Sequence, residues 1–109
     1  MDEAALKAAI AGQIRVGAHG WKGLHDDALD IDAVRSSMVA NGMIIEDYPN
    51  DVRGASVLML GFLPDGSPVH SVWAWHDPVG EPFLVTICIV LASTSGCPTF
   101  AHVIHEQIR

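Results

Sequence analysis

The chain has 109 residues, 50% of them hydrophobic and 17% charged. That suits one compact domain, 1–109, and excludes both wholesale disorder and two independent cores. Six Lys/Arg against 13 Asp/Glu give a formal charge of −7. The cations (Lys7, Arg15, Lys22, Arg35, Arg53, Arg109) stand singly, which argues against a broad RNA or DNA surface and against an anionic membrane surface.

The opening MDEAALKAAIAGQIR lacks a basic n-region and a continuous apolar core, so it does not read as a secretory signal. The longest apolar stretch, near Phe83–Ala92, is interrupted by Thr86 and falls far short of the ~20 residues of a membrane span. Two cysteines, Cys88 and Cys97, are too few for a small secreted scaffold. A cytoplasmic protein with reduced thiols and no cofactor is expected.

Residues 2–15 predict a first helix, because Leu6, Ile10 and Ile14 repeat at i, i+4, i+8. Gly17 and Gly20 then break the pattern. Residues 19–28 spell a short second helix, weakened by Gly20 and Gly23 at about 1 kcal/mol each relative to Ala. Asp30 is the N-cap of a third helix carrying Ile31, Val34 and Met38, and Asn41-Gly42 is its stop.

The period then shortens to two. Strands are expected at Met43–Tyr48, Ala55–Leu63, Val69–His76 and Phe83–Leu91, separated by Pro49-Asn50-Asp51, Pro64-Asp65-Gly66-Ser67 and Asp77-Pro78-Val79-Gly80. Helices first and strands after predict an α+β fold: two to three N-terminal helices packed on a four-stranded antiparallel meander. Residues 92–109 form a C-terminal tail that closes as a loop or as a short helix, Phe100–Gln107.

The order of short motifs carries a resemblance. His19 opens a helix, Leu24 follows at the next core position, and the helix Ile31–Met38 precedes MIIEDYP (Met43–Pro49). DGSPVHSV (Asp65–Val72) and FLVTICIV (Phe83–Val90) complete the series. From His19 to about Val90 the chain resembles the bacterial family called domain of unknown function 4258. That family is similar to the RelE and BrnT toxins of toxin–antitoxin systems. The resemblance implies a RelE-like scaffold, cleavage of mRNA without a metal, and a cognate antitoxin as protein partner. Where family members often carry an Arg eight residues after the His, this chain has Asp27. A carboxylate there would repel the phosphate that an Arg would hold.

RNA cleavage of this kind needs a base for the ribose hydroxyl, a cation for the phosphorane and an acid for the leaving oxygen. His70, on the third strand, is the first candidate as a titratable imidazole. His76 shares its face by strand parity. His19 could orient a phosphate or simply pack on Trp21. Tyr48 could act as an acid or hydrogen-bond locally, and Arg53 could hold an anion or stand solvated. Trp73 and Trp75 belong to the other strand face, as core or as base-stacking platforms. Cys97, His102 and His105 form C-x4-H-x2-H, a thin zinc signal with no partner motif. The acidic balance suits a basic protein partner or self-association, and a bare sheet edge would suit a homodimer. Two readings stand: a toxin-like mRNA endoribonuclease, or a non-catalytic protein-interaction module on the same scaffold.

Overall fold

The computed structural model describes residues 1–50, 54–76 and 79–90. Eight elements follow in chain order: α1 (Glu3–Ala11), β1 (Arg15–Val16), α2 (Ala18–Asp26), α3 (Ile31–Asn41), β2 (Met43–Tyr48), β3 (Ser56–Phe62), β4 (Pro68–His76) and β5 (Val79–Ile89). The fold is α+β, with three helices among the described residues. The sheet is five-stranded and mixed, in the order β1-β5-β4-β3-β2. This corrects the expected four-stranded antiparallel sheet. β1 pairs parallel with β5, Arg15 opposite Phe83 and Val16 opposite Leu84, while the other neighbours pair antiparallel.

The missed strand also explains the first helix. α1 starts at Asp2, whose carboxylate accepts the N–H groups of Ala4 and Ala5 at 3.0 and 3.4 Å. It stops at Ala11, because Gly12 caps it and the next residues are drawn out to pair with β5. Ile14 still packs on the core, from extended backbone rather than from a third helical turn. α3 follows expectation: the Asp30 carboxylate accepts the Ala33 N–H at 3.3 Å, and the Gly42 N–H returns to Met38.

All three helices lie on one sheet face. Leu6 and Ile10 of α1, Leu24 of α2, and Val34 and Met38 of α3 pack against Val57, Met59, Val69, Trp73, Trp75, Leu84 and Ile87. We call this the inner face. The second cluster, Leu58, Val72, Val85 and Cys88, draws on strand residues alone and marks the outer face. Trp73 is fully buried, its indole donating to the Ser71 hydroxyl at 2.8 Å. The Trp75 indole donates to the Gly80 carbonyl at 3.1 Å. Both tryptophans are therefore core residues with their polar atoms satisfied, which leaves neither as a stacking platform.

Gly20 and Gly23 do not break α2; they let it lie on β5. A Cβ on Gly20 would stand 2.8 Å from the Leu84 carbonyl oxygen, and one on Gly23 only 2.2 Å from that of Ile87. The lost helix propensity is exchanged for close packing of helix on strand. Asp27 fastens the same interface, its carboxylate accepting the Ile89 N–H at 2.9 Å.

Candidate functional site

The outer face is set by two bulges. Ile44 lies opposite Met59 on the inner face, but Glu46 lies opposite Leu58 on the outer one. Ile45 is the extra residue between them, and it turns Glu46 and Tyr48 outward. A second irregularity between Val72 and Trp73 does the same for β5: Trp73 faces Leu84 on the inner side, while Val72 faces Thr86 on the outer side. Three rows then cross the outer face. One runs Met43, Leu60, His70, Cys88; the next Glu46, Leu58, Val72, Thr86; the third Tyr48, Ser56, Ala74, Phe83.

Tyr48 and His70 thus share one face, with Glu46 between them. The Tyr48 hydroxyl donates a short hydrogen bond to the Glu46 carboxylate. Burial holds the phenol well above the ordinary tyrosine range, and the hydrogen bond to Glu46 and its charge add to the rise. His70 is half-buried. Burial pushes its imidazole below the ordinary value, and the Glu46 charge pulls the other way. β3 separates Glu46 from His70, which sets their backbones about 10 Å apart. The group can hold a proton and accept hydrogen bonds, and its only fixed charge is negative.

The remaining sequence candidates do not join this group. His19 sits exposed near the start of α2, in the helix layer behind the inner face. Arg53 lies outside the described residues, as do Cys97, His102 and His105, and the side chain of His76 is likewise not described. Among the described residues no three His, Cys, Asp or Glu side chains gather as a metal site. Cys88 is buried and disulfide-bonded, which corrects the expected reduced thiol. Thr86 is buried opposite Val72.

Three of the four described cations are engaged elsewhere. Lys7 donates to the Gly42 carbonyl at 3.1 Å, and Arg35 to that of Gly12 at 2.8 Å. Lys22 pairs with Asp26 at 2.6 Å along α2. Arg15 pairs with Phe83 and so shares the outer face, but from β1, at the sheet edge opposite β2 and four strand spacings from Tyr48. No Lys or Arg lies on β2, β3, β4 or β5. Asp27, which stands where the resemblance leads one to expect Arg, has a structural task in holding Ile89.

Sequence reasoning missed Glu46 and the apolar corner beside it. Met43 and Ile45 are 47% and 42% exposed, and Phe62 at the end of β3 is 40% exposed. Strand parity and the Met43–Leu60 pairing place all three on the outer side of the β2–β3 corner. The β2 edge is not bare: Glu3 of α1 accepts the Ile44 N–H at 2.7 Å, which takes up a donor that an added strand would need.

Among the described residues no helix is long and apolar enough to cross a membrane. No curated protein and no solved structure gives a significant match to the chain. A family model described as a domain of unknown function (DUF4258) matches residues 17–89, from the start of α2 to the end of β5. The chain therefore belongs to the DUF4258 family, with α1 and β1 added ahead of the matched region.

Proposed function

We propose that this domain works as a non-catalytic protein-binding module that takes a basic partner with apolar anchors. The observation that carries the reading is the outer β2–β3 corner, where Met43, Ile45 and Phe62 stand exposed beside Glu46. Large apolar side chains grouped on one surface mark interaction sites. The carboxylates of Glu46 and of Asp65, in the turn after β3, favour a positively charged partner over a phosphate chain. A cognate antitoxin suits this description, and a likeness to RelE- and BrnT-type toxins belongs to the same reading.

A second reading, metal-independent cleavage of mRNA, is favoured by the shared face of Glu46, Tyr48 and His70. A neutral His70 could accept the ribose hydroxyl proton. The acid is weak, however, because the Tyr48 proton is held by Glu46. Among the described residues no Lys or Arg lies on the strands that carry these three side chains.

Chemical crosslinking and mass spectrometry on tagged wild type, Met43→Asp/Phe62→Asp and His70→Ala, each checked for folding by circular dichroism, separates the two. The module reading expects a basic partner kept by His70→Ala and lost by the corner variant. Growth arrest by wild type that a folded His70→Ala relieves would replace it with the nuclease reading.

A further inference from the structure

The start of the β2 edge, beside the exposed corner, has its backbone already engaged. Outward groups alternate along an edge strand, and α1 takes the first two here. Lys7 donates to the Gly42 carbonyl at 3.1 Å, and Glu3 accepts the Ile44 N–H at 2.7 Å. α1 is itself anchored by Leu6 and Ile10, both fully buried. The bulge at Ile45 then shifts the register and sharpens the local twist, which works against an incoming strand. On the neighbouring strand Asn41 takes both backbone groups of Phe62: its amide donates to the Phe62 carbonyl at 3.0 Å and accepts the Phe62 N–H at 2.7 Å.

What a partner can reach is a row of side chains. Met43 pairs with Leu60, and Phe62 lies two residues past Leu60 on β3; Ile45 lies two residues from Met43 in the opposite direction. The row Phe62–Met43–Ile45 is therefore about 14 Å long. That is about nine residues of α-helix, close to the reach of apolar positions i, i+4 and i+8. An exposed acid stands at each end: Glu46 next to Ile45, and Asp65 in the turn that follows Phe62. No Lys or Arg lies on β2 to β5 to oppose a cation there.

We propose that the corner takes one amphipathic α-helix of about three turns, apolar at i, i+4 and i+8, with Lys or Arg at both ends, laid along this row. The inference rests on the protein-binding reading above and adds the form of the partner: a helix held by side chains, not a strand added to the sheet. Phe62 is the fixed anchor, because Asn41 holds its backbone before the partner arrives.

The test selects yeast-displayed random peptides, about four helical turns long, on wild type, with Met43→Asp/Phe62→Asp as counter-selection. Circular dichroism checks that each variant is folded. Selected peptides should carry apolar residues at helical spacing with flanking Lys or Arg, and should gain helical signal on binding. Their affinity should fall about tenfold or more against the corner variant. Glu3→Ala/Lys7→Ala, which frees the Ile44 N–H and the Gly42 carbonyl, should bind them unchanged. Peptides with alternating apolar residues, or affinity raised by opening the edge, would overturn the helix and leave the protein-binding reading in place. Peptides that bind wild type and corner variant equally would overturn both, as would the recovery of no binder.

Discussion

The chain holds one tyrosine, so the ionisation of Tyr48 can be read directly from phenolate absorbance near 295 nm. An ordinary tyrosine, with a pKa near 10, is about nine-tenths ionised at pH 11. In the folded protein Tyr48 should remain mostly protonated there, because burial and the Glu46 carboxylate both favour the neutral phenol. Glu46→Gln removes the charge and keeps the shape. A hydrogen bond to a charged group contributes roughly 1.5 kcal/mol at the low end, and one pKa unit corresponds to about 1.4 kcal/mol. The variant should therefore bring the Tyr48 pKa down by about one unit at most, since the Glu46 carboxylate is exposed and its charge screened. It should stay above the ordinary value, because burial is the larger cause. The sign for stability follows: the neutral phenol is favoured by the fold, so this contribution is complete below about pH 10 and is lost as pH rises beyond it. The assay is a pH titration of both proteins, with circular dichroism at each point to exclude unfolding. A folded wild type that ionises like a free tyrosine, or a Glu46→Gln variant with an unchanged titration, would refute the arrangement.

Three further results are expected. Gly23→Ala gains up to about 1 kcal/mol of helix propensity but forces a Cβ onto the Ile87 carbonyl. Overpacking of about 1–3 kcal/mol wins, so urea denaturation should show a less stable protein; Gly12→Ala, which meets only the Ala9 carbonyl at 3.4 Å, is the control. Asp27→Ala should lower stability by about 1–2 kcal/mol through loss of its hydrogen bond to Ile89, and Asp27→Asn by less; equal stability of Asp27→Ala and wild type would remove the clamp from the account. His70 binds its proton less readily folded than unfolded. Its contribution is therefore complete above about pH 6.5 and is lost as pH falls below that value. His70→Gln should flatten the decline in Tm between pH 6.5 and pH 5.

Local rules were legible where the chain obeys them. β2 has the bounds its β-rich run and flanking Asn41-Gly42 and Pro49 predict, and α3 begins at the Asp30 cap. β1 was not legible, because two residues carry no period of their own and form a strand only by pairing with β5. Gly20 and Gly23 misled for a related reason: the close approach to β5 that needs them is a tertiary fact. The shared face of Tyr48 and His70 was not legible, because no strand register can be read from the sequence. Tyr48 and His70 fall on one face, but strict alternation would group Glu46 and Tyr48 with Ile44 towards the core. Only the bulge at Ile45, invisible in a pattern of side chains, turns them outward. His19 drops out of the group because α2 packs behind the sheet.

The central claim is that this acidic domain binds a protein and does not cut RNA. Its most direct test is incubation of purified wild type with a structured mRNA at low salt, where any electrostatic penalty is plain and any weak cleavage is easiest to detect, alongside folded His70→Ala. The account predicts intact RNA with both proteins. Cleavage by wild type that disappears in His70→Ala would contradict it.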